Sequence, residues 1–331
     1  MAVQIIKDKE LWDALVDESP YGLLFHKWDF LNIMEKHSGY KFLPYGIYKS
    51  DELIAIFPLF FKKLWGLKTI FSPPPQTGVP YLGFIVNKEY DNLKQNKKEG
   101  ILNLIVNEID EEIKKFSPNY VSISTVPTFL DIRHFKWNKY EVDIHFTYVI
   151  NLNRTLNQIF DSFEKDLRNQ IKRLERFCLE LSESNDLSIF WELHKTRYEE
   201  QGINYPLISE IYLSDLIKAY PQNIKLYYLQ DNNREIIGTI ITQEYKTFSL
   251  WLGAPKIKIY GNEWMWWKLI QKAKSENYKK LEILGANTKR LCIVKSQFNP
   301  ALEFNFAIYQ KDILGKIAEW GYSSFIKRKW L

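Results

Sequence analysis

The sequence predicts a mixed α/β fold made of two tandem copies of one unit, and three observations predict it. The chain has 331 residues, about twice the usual length of a domain. Its apolar periodicity gives strands and helices in the same order in both halves. Short stretches also line up between the halves. Tyr120-Val121-Ser122-Ile123 matches Lys280-Leu281-Glu282-Ile283 at an offset of 160, and Phe135 matches Phe298 at an offset of 163. Upstream, Asp51-Glu52-Leu53-Ile54-Ala55 matches Arg234-Glu235-Ile236-Ile237-Gly238 at an offset of 183, so the first half carries extra residues. The expected division is 1–153, 154–312 and a terminal helix or tail at 313–331. Chance likeness of two mixed halves is the alternative to a true repeat.

The elements follow in order. Helices are expected around Asp8 to Val16 and Trp28 to Lys36, the second closed by Gly39 in a left-handed cap. Phe42 to Tyr48 and Leu53 to Phe61 are β-rich runs separated by Lys49-Ser50-Asp51-Glu52, which reads as a hairpin turn. Ser72-Pro73-Pro74-Pro75-Gln76-Thr77-Gly78 is a loop, since consecutive prolines lack backbone donors. It supplies the extra length of the first half. Ile101, Leu104, Ile105, Ile109 and Ile113 mark a helix from Lys97 to Phe116, followed by a short strand at Val121 to Ser124. The second half repeats this with strands Ile224 to Gln230, Glu235 to Glu244 and Thr247 to Leu252, a helix from Asn262 to Glu276 and a strand at Leu281 to Leu284.

Between the halves, Leu156, Phe160, Phe163, Leu167, Ile171, Leu174 and Cys178 recur at helical spacing, which predicts one helix over Thr155 to Cys178. Lys165, Arg168, Lys172 and Arg176 fall on the opposite side, either as a solvated face or as a cationic stripe for phosphates.

Composition excludes several classes. An aromatic share of 16% is far above that of disordered chains. The longest apolar stretch, Leu53 to Phe61, is too short to span a membrane and contains Pro58. Lys7, Asp8, Lys9 and Glu10 interrupt any signal-peptide core, so a cytoplasmic protein is expected. A net charge of +5 from 45 basic and 40 acidic residues gives no reason to expect DNA as a partner. Cys178 and Cys292 have no metal-ligand spacing and read as small core hydrophobes. The five histidines show no paired spacing, and no H-E-x-x-H, Walker or G-x-G-x-x-G motif occurs, so no metal is expected. The 52 aromatic residues, 20 Tyr, 21 Phe and 11 Trp, fill the core or line a groove. In the helix that opens with Trp264, Trp266 and Trp267, Trp266 shares the core face with Leu269, Ile270 and Ala273. Trp264 and Trp267 are left to a substrate or to the neighbouring domain.

Several stretches together carry a resemblance. They are Ser19-Pro20-Tyr21-Gly22-Leu23-Leu24-Phe25 with Trp28; Glu52 to Leu59; Ser72-Pro73-Pro74 leading to Pro80-Tyr81-Leu82-Gly83; Arg168-Asn169-Gln170-Ile171-Lys172-Arg173; and Leu284-Gly285-Ala286-Asn287 followed by Val294-Lys295-Ser296-Gln297-Phe298. In this order they resemble the FemAB-like acyltransferases, built of tandem GNAT-type domains. The departures are Val294, where that family has Phe, and Asn299, where it has Gly.

The resemblance implies two GNAT-like domains, each a mixed, mostly antiparallel sheet with flanking helices and a parallel strand pair that splays apart. It implies transfer of an acyl or aminoacyl group to an amine of a sugar- or peptide-containing, cell-envelope type of acceptor. Acyl-CoA or aminoacyl-tRNA is the donor, with no tightly bound cofactor. The alternatives are an acyl-CoA-dependent N-acetyltransferase and a catalytically degenerate binding protein. In the second half the splayed strands would be Thr247 to Leu252 and Leu281 to Leu284, with Trp251 and Gly253 at the mouth and Tyr81 lining the groove. Lys295 is the first catalytic candidate, followed by Tyr260 and Glu244 as proton carriers. Arg168, Lys172, Lys258 and Gly261 are the donor or phosphate contacts, the last two from a weak match to a pyrophosphate loop at Lys258-Ile259-Tyr260-Gly261-Asn262. The tail, with Leu314, Ile317, Trp320, Phe325 and Trp330 among Lys316, Lys327, Arg328 and Lys329, is a packed helix or a peripheral contact with an anionic membrane carrying a lipid-linked acceptor.

Overall fold

The computed structural model describes residues 2–200, 208–255 and 261–325. The strands are β1 (Ala2–Ile5), β2 (Lys41–Lys49), β3 (Glu52–Leu64), β4 (Leu67–Ser72), β5 (Ile85–Val86), β6 (Tyr120–Ser124), β7 (Glu141–Asn151), β8 (Glu180–Ser184), β9 (Ile224–Gln230), β10 (Ile236–Glu244), β11 (Phe248–Pro255), β12 (Lys280–Ile283) and β13 (Ala301–Lys311). The helices are α1 (Lys9–Glu18), α2 (Trp28–Ser38), α3 (Gln95–Phe116), α4 (Arg133–Trp137), α5 (Leu156–Asp161), α6 (Lys165–Leu174), α7 (Ser188–Glu200), α8 (Glu210–Ala219), α9 (Asn262–Ser275), α10 (Lys289–Lys295) and α11 (Ile313–Phe325).

Local chemistry explains many of the boundaries. The Asp8 carboxylate caps α1 by accepting from the Glu10 and Leu11 amides at 2.9 and 3.1 Å. Gly39 closes α2 at φ +67°. At the β9–β10 turn, the Asp231 side chain accepts from the amides of Asn233 and Glu235. All eleven strands and helices expected in the two halves are present, within a few residues of their expected ends. β4 had no sequence signal, because its tight turn uses Trp65 and Gly66, both at positive φ, instead of an Asn-Gly or Asp-Gly pair.

The chain forms two compact units, residues 1–145 with 304–331, and residues 146–303. In the first, the strand order is β1-β2-β3-β4-β6-β13, with β5 on the free side of β3. In the second it is β8-β9-β10-β11-β12-β7. Position by position these are the same sheet. Both have one parallel pair, β4 with β6 and β11 with β12, and their other neighbours are antiparallel. The bounds run differently from a division at 153 and 312, because the closing strand of each sheet comes from the other half of the sequence. Residues 304–311 of β13 complete the first unit, and residues 146–151 of β7 complete the second. Strand exchange of this kind leaves no mark on local periodicity.

The expected single helix over 155–178 is two helices. Thr155 and Gln158 form a capping box that starts α5. The Arg168 guanidinium then donates to the carbonyls of Asp161 (2.8 Å) and Phe163, occupying acceptors at the end of α5. The Glu164 amide bonds to Gln297 O at 2.8 Å instead of continuing the helix. Tertiary hydrogen bonds thus override a continuous apolar stripe. The stripe still reaches the core, where Ile159, Phe163, Leu167, Ile171 and Leu174 are buried with Trp264, Trp266 and Trp267 of α9. Cys178 lies beyond α6 and is exposed, which corrects its assignment to the core, and Cys292 is half-buried.

Candidate functional site: the strand gap of the C-terminal unit

β11 and β12 run parallel for three residue pairs, Phe248 with Leu281, Ser249 with Glu282 and Leu250 with Ile283. Beyond Leu250, β11 continues to Pro255 paired with β10, and among the described residues no strand lies on its other side. Two features of the chain separate the strands at this point. A β-bulge lies in β11, where Ile241 of β10 stands against Leu252 and Thr242 against Leu250, so Trp251 is the inserted residue. A bulge bends its strand and increases its twist. On the other side, Gly285 at φ +82° turns the chain after β12 toward β7. The Ala286 amide bonds to Phe146 O at 3.0 Å. The Asn287 side chain clamps the same residue, accepting from its amide at 2.8 Å and donating to its carbonyl at 3.2 Å.

Lys295, at the end of α10, locks that turn. Its ammonium donates to Leu284 O at 2.5 Å and Gly285 O at 2.6 Å, and only 8% of the residue is exposed. The ring of Phe298, three residues on, is fully buried against Phe163 and Trp266. Asn299 adopts φ +47°, a left-handed conformation that Asn tolerates better than other non-glycine residues. The replacement of Gly at this position therefore preserves the backbone path.

Burial pushes the Lys295 amine down to about 8. An unfolded chain keeps this proton to about 10.5, so between those pH values the unfolded state binds more protons and stability rises with pH. The gain is bounded at about 3 kcal/mol, because the two carbonyls favour the charged form against the effect of burial. Urea unfolding from pH 7 to 10 is expected to show this rise in the native chain relative to Lys295→Met, which lacks the titrating group. Parallel pH profiles for the two proteins would contradict the assignment.

A carboxylate that sequence reasoning did not select lies at the root of the gap. Glu282 is 6% exposed, accepts from Thr147 Oγ1 at 2.8 Å and has Ser249 Oγ at 3.4 Å. Its neighbours Leu281 and Ile283 point into the apolar core under α9, so alternation places Glu282 on the opposite face. The available signal was a charged residue inside a strand between two core residues. One of its partners, Thr147, comes from a strand 135 positions away, which local periodicity does not reveal.

The equivalent gap of the N-terminal unit is filled by its own chain. β4 and β6 are parallel from Thr69–Tyr120 to Ser72–Ile123. The Ser72 hydroxyl then donates to Pro58 O at 2.6 Å and accepts from the Gly83 amide. The Leu82 amide bonds to Ser124 O, and the Leu82 carbonyl faces His26 Nε2 at 3.0 Å. Gly83 sits at φ +62°, and a Cβ there would come within 3.1 Å of Ser124 O and 3.2 Å of Thr125 Cα. This close approach is why the Pro-Tyr-Leu-Gly stretch ends in glycine. Tyr81 is 3% exposed, packed edge-on to Phe25. It belongs to this core and does not line a groove.

The other expected site residues separate into groups. Trp251 is buried at the bulge and Gly253 is exposed two residues on, both beside the gap. Glu244 is not brought there. It pairs with Phe248 at the far end of the β10–β11 hairpin, about 17 Å from Gly253 by strand rise. There it accepts from Tyr227 and Thr242 and approaches Lys272 at 3.8 Å; burial raises its pKa, and the two hydrogen bonds partly offset that. Arg168 is engaged in helix capping, as above. Lys172 is exposed, with its ammonium 5.8 Å from the Phe160 ring centre. Lys258 and Tyr260 lie outside the described residues. Gly261 precedes α9, where a Cβ would come within 2.7 Å of Leu229, so packing suffices to explain this glycine. Trp264 and Trp267 join Trp266 in the core of their own unit, Trp267 against Phe160 and Phe163. Among the described residues, no group of three or more His, Cys, Asp and Glu side chains could hold a metal ion.

The sequence matches no known family and no curated protein. Solved structures do match it. FemX is similar at 14% identity, over 92% of this chain and 97% of that one, with a TM-score of 0.68. L-PGS from Bacillus licheniformis is similar at 14% identity over 92% of each chain, with a TM-score of 0.55. A tandem GNAT protein from the clavulanic acid biosynthesis pathway is similar at 7% identity over 93% and 98%, with a TM-score of 0.50. At these identities the likeness is one of fold. Two equivalent runs of six strands with one parallel pair each, matched along nearly the whole chain by these structures, make this a FemAB-like tandem GNAT-type fold.

Proposed function

We propose that the C-terminal unit transfers an acyl or aminoacyl group from an activated donor to an amine of a sugar- or peptide-containing acceptor of the cell-envelope kind. The observation that carries this reading is the gap between β11 and β12, held open by the Trp251 bulge, the Gly285 turn and Lys295, while the corresponding gap of the other unit is filled. Its chemistry suits acyl transfer. Past Leu250, the side of β11 that faced β12 has no strand neighbour among the described residues, so backbone donors there can meet a carbonyl oxygen as it gains negative charge. The amine attacks the donor carbonyl carbon, a C–N bond forms, and the thiol or tRNA hydroxyl leaves. The amine proton passes to Glu282, through a water where the acceptor sits beyond direct reach. Lys295 acts as a positioning residue that keeps β12 turned away from β11. Lys172 supplies an exposed positive charge for donor phosphates. The shared fold of FemX and L-PGS supports the same class of reaction.

Thermal unfolding with coenzyme A, acetyl-CoA and charged tRNA tests the reading. A donor at 100 times its Kd adds about 2.7 kcal/mol to stability. Stabilisation by the first two assigns a thioester donor, and stabilisation by charged tRNA alone assigns aminoacyl-tRNA. A chain stabilised by none of the three does not bind these donors, and the proposal fails.

A further inference from the structure

Helix α11 is amphipathic in the reverse of the usual sense. The Asp312 side chain caps it by accepting from the Gly315 amide at 2.8 Å. The side turned to the N-terminal unit is small and polar. Gly315 lies so close to the Asn119 carbonyl that a Cβ would come within 2.0 Å of the oxygen. Glu319 accepts from Tyr120 Oη at 3.2 Å and Lys311 Nζ at 2.8 Å. The apolar residues face outward: Ile313 is 78% exposed, Leu314 58%, Ile317 59% and Trp320 67%. At 100° per residue these four fall within one third of the helix circumference, opposite Gly315 and Glu319. A helix packed on a globular unit ordinarily buries that stripe, and a contiguous exposed patch marks an interaction surface.

The charge beside the stripe identifies its occupant. Lys316 is exposed at the edge of the apolar face. After Glu319 the sequence runs to residue 331 with Lys327, Arg328 and Lys329 and no acidic residue, and it adds Phe325 and Trp330. A second copy of the chain meeting this face about a two-fold axis would bring like charges together. An anionic lipid surface satisfies both features, with the apolar stripe at the headgroup–acyl boundary and lysines on phosphates. No helix among the described residues is long and apolar enough to cross a membrane. We propose that α11 docks the protein in the plane of an anionic phospholipid surface through Ile313, Leu314, Ile317 and Trp320, with Lys316 beside them.

Co-sedimentation of the full chain with vesicles of phosphatidylcholine alone, and with 30% phosphatidylglycerol (about a third of the headgroups anionic), tests this. Binding is expected only to the anionic vesicles and is expected to weaken in high salt. Ile317→Glu with Trp320→Glu should reduce it at least about tenfold, and Lys316→Glu should reduce it less. All three positions are exposed, so an unchanged melting temperature checks that the variants fold. Absence of binding by the native chain, or equal binding by the double variant, overturns the proposal. Dimerisation of the native chain that the double variant abolishes also overturns it, because a second copy then covers the face.

Discussion

Replacement of Glu282 by glutamine is expected to lower turnover by about 10²-fold or more, the usual contribution of a positioned general base, with little loss of stability. Glutamine has nearly the same shape: its amide oxygen can still accept from Thr147 Oγ1, now 2.8 Å from one carboxylate oxygen, and its amide nitrogen can donate to Ser249 Oγ, now 3.4 Å from the other. It cannot take a proton from the attacking amine. The loss should fall on kcat, with KM for the donor nearly unchanged, because Glu282 lies at the root of the gap and not along the exposed run of β11. Thr147→Val provides the companion test, since it removes one hydrogen bond and leaves the carboxylate. Its effect should be smaller than that of the glutamine variant and should include a shift in the pH–rate profile. Full turnover by Glu282→Gln would remove this residue from the chemistry and leave it as a structural carboxylate.

Phe298→Ala is expected to cost about 3–5 kcal/mol in urea unfolding, in the range for loss of a large buried aromatic side chain. The ring is fully buried, 5.1 Å from Phe163 and 5.4 Å from Trp266 between ring centres. It ties the segment after α10 to both α9 and the start of α6. Because Lys295 reaches the Leu284 and Gly285 carbonyls from just upstream of Phe298, the variant should also loosen the turn that opens the gap. Turnover should therefore fall further than thermal unfolding at the assay temperature explains. Phe298→Leu keeps most of the volume and should recover most of both losses. A cost below about 1 kcal/mol for the alanine variant would show that the site collapses around the cavity and that Phe298 does not anchor it.

Much of the fold was legible in the sequence, and particular residues show why. Asp8, Gly39 and Asp231 act through backbone groups a few positions away, so their spacing alone announces a cap or a turn. The match of Phe135 with Phe298 is equally direct, because both rings are buried at corresponding points of the two units. The site was legible only in outline. The Leu284-Gly285-Ala286-Asn287 turn and Lys295 were marked, and the structure brings them together. Glu282 escapes a reading of the sequence because Thr147, one of its partners, comes from the strand exchanged between the halves. Glu244 reads as a proton carrier at a strand end, yet the hairpin places that end away from the gap. Tyr81 reads as a groove residue, yet its segment turns inward and fills the first gap.

The sequence by itself determined the periodic elements, their order in two tandem copies and the absence of any long apolar span. Those follow from interactions within a turn of helix or across a hairpin, and such interactions repeat at fixed spacing. Only the tertiary structure decided which strands close each sheet, that Leu82 and Gly83 fill the gap of the first unit, and that α11 shows its apolar side to the outside. Each of these depends on hydrogen bonds or packing between residues far apart in the chain, such as Thr147 with Glu282, Leu82 with Ser124 and Gly315 with Asn119. Partners at that separation leave no periodic trace.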